Sequence, residues 1–182
     1  DANQKGGMSE SMKQYVAGVQ THMKSLLAIT APTINSYTRL VKGAWAPTAA
    51  TWGVENRTCA LRVIPGSENS QRVEFRVGSA DANHYLTAAA TLGTGLLGIE
   101  KELSLDDPVE GSAYDVQDQL AESLQLPGNL ADASRLLAAS ESARIIFGDQ
   151  FVNHYVSSRD WEVREYQRYV NDWQLKRYFE II

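Results

Sequence analysis

The segment Ser70–Val77, which reads SQRVEFRV, places charged and apolar side chains in strict alternation. Arg72, Glu74 and Arg76 occupy every second position, and side chains alternate between the two faces of a β-strand. A strand here would hold two guanidinium groups and a carboxylate on one face, with successive charges about 7 Å apart. Arginine is favoured over lysine where a carboxylate or phosphate is bound in a planar, bidentate manner.

Two interpretations of this charged face are open. It can be an ion-pair ladder on the solvated side of an antiparallel sheet. It can also be a site for phosphate and carboxylate groups, with Glu74 as a ligand of a divalent cation that bridges phosphate oxygens. Arg39, Arg57 and Arg62 precede the segment, and Arg62 would join the face if the register of the two strands allows it.

The segments around the charged face decide between these interpretations. They read NSYTRLVKG at 35–43, NRTCALRV at 56–63, QRVEFRV at 71–77 and DANHYL at 81–86. In this order and at this spacing they resemble the carboxyl-terminal catalytic region of the glutamine synthetase family. That pattern runs N-P-T-x-N-S-Y-x-R-L, then N-R-S/T, then R-x-E-x-R, then D-x-x-A-N-P-Y-L. The resemblance extends over nearly the whole chain.

The resemblance implies a role for each matching residue. Arg39 falls on the arginine that binds the glutamate substrate, and Arg76 on a second one associated with glutamate and its reacting γ-carboxyl. Arg57 matches the arginine that stabilises the transferring γ-phosphate, so Arg57 and Arg76 are the implied catalytic residues. The matches further place Arg57, Arg62 and Arg72 on the nucleotide side and Glu74 at the metal ion between the ATP phosphates.

The implied activity is ATP-dependent ligation of the glutamate γ-carboxyl to ammonia or an amine through a γ-glutamyl phosphate, with Mg²⁺ or Mn²⁺. Phosphoryl transfer depends on positioning and charge stabilisation, which arginines on a rigid strand can provide. The alternative is a structural, catalytically inactive member of the family, as lens-type relatives are. A cluster of desolvated arginines has no evident purpose in such a protein, which favours the enzyme.

The loop after Arg39 departs from the family pattern. Ammonia-using members have P-G-Y-E there, with a glutamate that helps to deprotonate ammonium, whereas this chain has KGAW at 42–45. Trp45 cannot act as a general base, but an indole can pack against an alkylamine or bind its ammonium through a cation–π contact. Trp45 is therefore a candidate acceptor-side residue, similar to the γ-glutamyl-polyamine and γ-glutamyl-amide ligase branches. Ammonia and a larger amine both remain open as the acceptor.

Two further positions bear on function. His84 stands where the family has proline, and we expect it to be an ordinary residue at the start of a helix. The polar connector at 106–119, DDPVEGSAYDVQDQ, occupies the region where some bacterial members carry a regulatory adenylylated tyrosine. Tyr114 is the only tyrosine in the connector, but the flanking residues do not match convincingly, and we expect no such regulation.

The predicted fold class is α+β, with an antiparallel β-hairpin packed against several helices. A helix begins after Ser9 and runs to about residue 29, and residues 30–57 form a long ordered loop. Strands at 58–64 and 72–77 form the hairpin, and a buried helix rich in Ala and Gly follows an N-cap at Asp81. Three more helices are expected at about 130–139, 142–156 and 159–178. Aromatic residues of the last helix are interpreted as core or subunit-contact residues: Trp161, Tyr166 and Trp173.

Composition limits the other possibilities. The chain has 182 residues, of which 43% are hydrophobic and 21% charged, which suits one folded domain. Its net charge of −5 and the lack of a basic run argue against a nucleic-acid partner, and no apolar run is long enough to span a membrane. Cys59 is the single cysteine, which together with the lack of a signal peptide favours the cytoplasm.

The domain assignment follows from the resemblance. Residues 1–182 are interpreted as the carboxyl-terminal portion of a glutamine synthetase-like catalytic domain, without the amino-terminal β-grasp domain and the first part of the catalytic domain. Those parts carry the family's other metal ligands and its glycine-rich nucleotide segment. We therefore expect the chain to be inactive alone, and the full-length parent to form a homo-oligomeric ring.

Overall fold

The computed structural model describes residues 7–67 and 69–181, and it confirms the α+β class. The helices are α1 Glu10–Thr30, α2 Ile34–Arg39, α3 His84–Glu100, α4 Ala113–Val116, α5 Leu130–Ala138, α6 Glu141–Phe147, α7 Asp149–Gln167 and α8 Asp172–Tyr178. The strands are β1 Trp52–Val54, β2 Leu61–Ile64 and β3 Arg72–Phe75. Short 3₁₀ turns at Gln117–Gln119 and Glu122–Leu124 follow α4.

Helix α1 forms the central element of the core. It begins where the sequence predicted, because the Ser9 hydroxyl accepts a hydrogen bond from the backbone N–H of Met12 at 3.2 Å. It packs against α3, α5 and α6. The contact with α3 is unusually close, since a Cβ at Gly98 would lie 2.2 Å from the Gln14 carbonyl oxygen and 2.6 Å from the Cα of Gly18. The small residues of α3 thus permit the close approach that its composition predicted.

The start and the burial of α3 differ from the prediction. Asn83, and not Asp81, is the N-cap, and its side chain accepts from the backbone N–H groups of Tyr85 and Leu86. The Asp81 carboxylate instead accepts a hydrogen bond from the Thr33 hydroxyl at 2.8 Å. Only one side of α3 is buried, and Leu92 on the other side is 55% exposed.

The three strands form a mixed sheet in the order β1-β2-β3. Strands β2 and β3 are the predicted antiparallel pair, and Arg62 lies directly opposite Glu74. Strand β1 pairs with β2 in parallel, which the sequence did not predict. Parallel strands usually require a long crossover, whereas residues 55–60 join these two directly. The predicted antiparallel hairpin is confirmed, and β1 adds a parallel edge strand to it.

The interval 30–57 is not a continuous loop, because it also contains α2. Thr33 and Ser36 form a capping box at the start of this helix, with two reciprocal hydrogen bonds of 3.2 Å. The helix ends at Arg39, one of the predicted site residues. A helix of six residues is too short to produce a hydrophobic period, so the sequence pattern did not reveal it.

The carboxyl-terminal helices divide at other positions than predicted. Gly148, with a φ of 80°, separates α6 from α7, and Asn171 caps α8. Trp161, Tyr166 and Trp173 are 55%, 50% and 63% exposed, so their interpretation as core residues is wrong for this chain. The other interpretation, subunit contact, stays a prediction.

The core lies on one side of the sheet. Leu61 and Val63 of β2 are fully buried there together with Leu27 and Ile29 of α1. The opposite side of the sheet therefore carries the charged positions of β2 and β3. Within the described part of the chain, no single helix is both long enough and apolar enough to cross a membrane.

Candidate functional site

A chain of ion pairs runs along the charged side of the sheet. Arg62 contacts Glu74 across the strand pair, with 3.3 Å between Nη1 and Oε2, and it also donates to Glu55 from Nε at 3.0 Å and from Nη2. The Nε of Arg76 lies 3.8 Å from the same Glu74 oxygen. The carboxylate of Glu55, followed by that of Glu74, raises the pKa of the Arg62 guanidinium. The register thus brings Arg62 to the predicted face, where Glu55, Arg62, Glu74 and Arg76 form an ion-pair ladder.

Glu55 is the one residue of the ion-pair ladder that the sequence analysis did not identify. It precedes the Asn-Arg pair at 56–57, and its backbone is left-handed, with a φ of 50°. A carboxylate next to the N-R-T motif was the available signal. Arg72, by contrast, is exposed on the same side of the sheet and donates to the Ser70 carbonyl at 3.0 Å, outside the ladder.

Arg76 joins three segments of the site. Its guanidinium donates from Nη1 to the carbonyl of Arg57 and, at 3.4 Å, to that of Cys59, and from Nη2 to the carbonyl of Trp45 at 3.4 Å. The side chain is 15% exposed. Among the described residues these contacts leave one Nη2 hydrogen unassigned. The predicted glutamate-binding arginine is therefore also the residue that holds the N-R-T segment and Trp45 next to β3.

Arg39 reaches the same region from α2. Its Nη2 donates to the carbonyl oxygens of Val77 at 2.7 Å and Gly78 at 3.3 Å, immediately after β3. The residue itself is exposed. These bonds join α2 to the chain that follows β3, whereas Arg76 is bonded to the backbone at residues 45, 57 and 59.

Arg57 and Trp45 line one open cleft of about 580 Å³ next to the ladder. The other lining residues come from the N-R-T segment and the connector: Val54, Glu55, Asn56, Thr58 and residues 108–111. Trp45 is 69% exposed and has a φ of 57°. A left-handed backbone costs a residue other than glycine about 1–2 kcal/mol, and such strain clusters at functional sites. Two residues of the cleft, Trp45 and Glu55, adopt this conformation.

Asn56 fixes the part of the cleft wall that the connector forms. Its Nδ2 donates to the carbonyl oxygens of Val109 at 3.1 Å and Gly111 at 2.8 Å. Its Oδ1 accepts from the backbone N–H of Thr58 at 3.0 Å and from the Thr58 hydroxyl at 2.6 Å. The asparagine of the N-R-T motif thus attaches the connector to the segment that carries Arg57.

The connector also contacts the segment that carries Trp45. We call residues 41–48 the Trp45 loop. The Tyr114 hydroxyl donates to the Ala46 carbonyl at 3.4 Å, the Thr48 hydroxyl donates to Oε1 of Gln117, and Lys42 pairs with Asp118 at 2.9 Å. Sequence reasoning missed these contacts, since they join residues about 70 positions apart.

The site offers part of what a metal ion requires. Carboxylate oxygens are suitable ligands for Mg²⁺, and Glu74 lies on a strand that can hold one in place. Within residues 7–67 and 69–181, however, no three His, Cys, Asp or Glu side chains converge to form a metal site. Glu74 therefore fits as a single ligand, and further ligands would have to come from phosphates or from outside the described residues.

Cys59 lies beside the site without the properties of a nucleophile. It is fully buried, and burial raises the pKa of its thiol to about 11. The reactive form of cysteine is the thiolate, which this environment disfavours at neutral pH. His84 is exposed at the first residue of α3, as expected for an ordinary position at a helix start.

The comparisons with known proteins agree with these observations. A family model described as the catalytic domain of glutamine synthetase matches residues 1–178. Type-1 glutamine synthetase 2 of Dictyostelium discoideum is 44% identical over the whole chain, which covers 35% of that protein. A glutamate–isopropylamine ligase of a Pseudomonas species is 40% identical over 97% of the chain and 38% of that protein.

A solved structure, a GmaS/ADP complex, superimposes with a TM-score of 0.85 at 31% identity, over 97% of the chain and 41% of the solved one. The chain thus spans little more than a third of the length of these relatives. The fold, the catalytic-domain match and the identity to a glutamine synthetase and to a glutamate–isopropylamine ligase agree over almost every residue. On these grounds the chain belongs to the glutamine synthetase family.

Proposed function

We propose that the protein from which this chain comes is an ATP-dependent ligase that joins the γ-carboxyl of glutamate to ammonia or an amine through a γ-glutamyl phosphate. The observation that carries the proposal is the convergence of Arg57, Arg62, Glu74 and Arg76 at one side of a sheet, beside an open cleft. In a structural protein this arrangement would place strained residues and a largely buried arginine side chain beside a solvent-open cleft without use. Family membership supplies the reaction class.

The proposed chemistry needs positive charge where phosphate and carboxylate meet. Arg57 faces the cleft, and within the described residues its guanidinium makes no bond that would have to be broken before it could stabilise the transferring phosphate. Arg39 and Arg76 would hold glutamate, while Arg62 and Arg72 would contact the nucleotide. Fixed donors of this kind stabilise charge without reorganisation during the reaction.

Glu74 is the proposed ligand for Mg²⁺ or Mn²⁺. Such an ion, when bound, neutralises charge on the ATP phosphates. Glu74 projects from β3, where its partner Arg62 on β2 already fixes its orientation. The remaining ligands would come from residues outside this chain, which agrees with the proposal that residues 1–182 are the carboxyl-terminal part of a catalytic domain.

The acceptor is proposed to be an amine larger than ammonia. Trp45 occupies the loop position where ammonia-using members carry a glutamate, and its indole lines the cleft that contains Arg57. An indole offers apolar surface and a cation–π face to an alkylammonium group. The match to a glutamate–isopropylamine ligase supports an alkylamine. The full-length parent is also proposed to assemble as a homo-oligomeric ring.

The test is an assay of phosphate release by the full-length parent with ATP, Mg²⁺ and glutamate. Ammonium is compared with putrescine, spermidine, ethylamine and ethanolamine. We expect stimulation by at least one amine well above ammonium. Stimulation by ammonium alone would refute the role of Trp45, and the proposed ligase activity would still stand. No stimulation by any acceptor would favour the structural, inactive alternative.

Arg57→Ala separates chemistry from folding in the same assay. It should abolish turnover and leave thermal unfolding unchanged, because no described side-chain bond is lost. Arg135→Ala is the control, since Arg135 is an exposed arginine on α5 that pairs only with Asp132 among the described acids. Substantial activity in Arg57→Ala would refute the proposed role.

The 182-residue chain alone should be inactive, and glutamate-dependent phosphate release above a Glu74→Ala control would contradict that.

A further inference from the structure

The Trp45 loop is held in a strained conformation by hydrogen bonds to two consecutive carbonyl groups. The carbonyl of Trp45 accepts from Arg76 at 3.4 Å, and the carbonyl of Ala46 accepts from the Tyr114 hydroxyl at 3.4 Å. Trp45 itself has a φ of 57°, a conformation that costs about 1–2 kcal/mol for a residue with a Cβ. Without restraint on these carbonyls, the chain would favour an unstrained backbone at Trp45.

The burial of the loop shows where its restraint must come from. Residues 41–45 are exposed, whereas Ala46 and Pro47 are buried. The exposed part therefore receives little support from packing. Its described side-chain contacts lead to Arg76, directly after β3, and to Asp118 of the connector, while Tyr114 bonds the next residue, the buried Ala46. The Lys42–Asp118 pair is exposed on both sides, and exposed pairs contribute about 0–1 kcal/mol.

Tyr114 is the better placed of the two connector contacts. Its side chain is half-buried, and its hydroxyl donates to the carbonyl of Ala46, the residue that follows Trp45. Two residues further along the loop, Thr48 donates to Gln117, and Gln125 donates to the carbonyl of Gln117 at 2.6 Å. The connector around Tyr114 is thus itself fixed to the buried end of the loop.

We propose that Tyr114 is a positioning residue for amine selection, which holds the Trp45 indole at the cleft through the Ala46 carbonyl. This rests on the proposed function, in which Trp45 contacts the acceptor. When a binding-competent conformation is only partly populated, the apparent affinity falls in proportion to that fraction. Loss of the Tyr114 hydroxyl should therefore weaken amine binding without changing the chemical groups of the site.

The experiment compares Tyr114→Phe with the unmodified full-length protein in the phosphate-release assay. The KM for the best amine should rise about threefold to tenfold, which is the effect of one net hydrogen bond. The kcat at saturating amine and the KM for glutamate should stay within about twofold of the starting values, because the substitution removes only the ordering of the loop. Thr48→Val, which removes the hydroxyl that bonds Gln117, should change the amine KM in the same direction.

Tyr155→Phe is the matched control. The Tyr155 hydroxyl donates to the Ala28 carbonyl at 3.1 Å in the helical part of the molecule, so this variant loses the same kind of bond away from the cleft. It should leave the amine KM unchanged. Equal amine KM values in Tyr114→Phe and Tyr155→Phe would overturn the proposal, as would a fall in kcat with an unchanged amine KM.

A second measurement does not depend on activity. In protein labelled with 5-fluorotryptophan, the ¹⁹F resonance of Trp45 is assigned by its loss in Trp45→Phe. Tyr114→Phe should shift or broaden this resonance, and Tyr155→Phe should not. If no acceptor supports turnover, the proposed function fails, and the resonance still decides whether Tyr114 positions Trp45. An unchanged Trp45 resonance in Tyr114→Phe would refute the positioning role.

Discussion

Glu74→Gln and Glu55→Gln form a matched pair that tests which carboxylate of the ladder acts on substrates. Both carboxylates bind the same guanidinium, that of Arg62, and their side chains are 44% and 50% exposed. Glutamine keeps the shape of each side chain and removes its charge. The two carboxylates are similarly exposed beside Arg62, and they differ in backbone conformation and in the second contact of Glu74 with Arg76.

The structure sets an upper limit on what either substitution costs in folding. Exposed ion pairs contribute about 0–1 kcal/mol, so each variant should lose no more than about 1 kcal/mol in the free energy of unfolding. Glu74 also lies 3.8 Å from Nε of Arg76, a distance too long for a hydrogen bond, so this contact adds little. As the proposed metal ligand, Glu74 should matter far more in turnover. We expect Glu74→Gln to lose about a thousandfold or more, which corresponds to about 4 kcal/mol in the activation barrier.

The assay is glutamate-dependent phosphate release by the full-length protein over a titration of Mg²⁺, with thermal unfolding measured in parallel. Glu74→Gln should require more Mg²⁺ and stay far below the starting rate, while Glu55→Gln should stay within about tenfold. Equal losses in the two variants would refute the assignment of Glu74 and reduce both residues to partners of Arg62. A loss in Glu74→Gln that accompanies a large fall in thermal stability would equally contradict the reasoning.

Three further predictions concern the fold that supports the site. Gly98→Ala should destabilise the protein by about 2 kcal/mol in chemical denaturation, because a Cβ there meets the backbone of α1. Gly128→Ala, where a Cβ meets nothing within 4 Å, should be neutral or stabilising, and equal effects would contradict the close helix contact. Burial raises the pKa of Cys59 to about 11, so its neutral form stabilises the fold at low pH, and this contribution is lost as the pH rises from about 9 to about 11. Between these pH values, the free energy of unfolding of the unmodified protein should thus fall more steeply than that of Cys59→Ala. Parallel curves for the two proteins would show that the thiol is not desolvated. Asn56→Ala should increase protease cleavage in the connector, since its bonds to two connector carbonyls are lost, and unchanged cleavage would show that they do not hold it.

Much of the site could be predicted because its residues are close in sequence. The alternation in residues 70–77 determines which side chains share a face of β3, since the strand period is two. The hairpin turn then brings Arg62 opposite Glu74, a local consequence of the antiparallel register. Ser9 and the periodic residues after it likewise determine where α1 begins.

The sequence pattern failed where an element is short or its partner is distant. Strand β1 has three residues and α2 has six, and neither length can show a period. The N-cap of α3 is Asn83 and not the predicted Asp81, because the Asp81 carboxylate accepts a hydrogen bond from Thr33, a residue 48 positions away. The exposed aromatic side chains of α7 and α8 have a helical spacing that does not distinguish a core face from an uncovered one.

By itself, then, the sequence determined the fold class, the charged face of β3 and the motif order that indicates the family. The tertiary structure alone decided that Glu55 joins Arg62, that Arg76 holds the Trp45 carbonyl, and that the connector forms the wall of the cleft. These features depend on left-handed backbone at Trp45 and Glu55 and on hydrogen bonds between distant segments. Neither leaves a periodic signal in the sequence, because each is stabilised by contacts that exist only once the chain has folded.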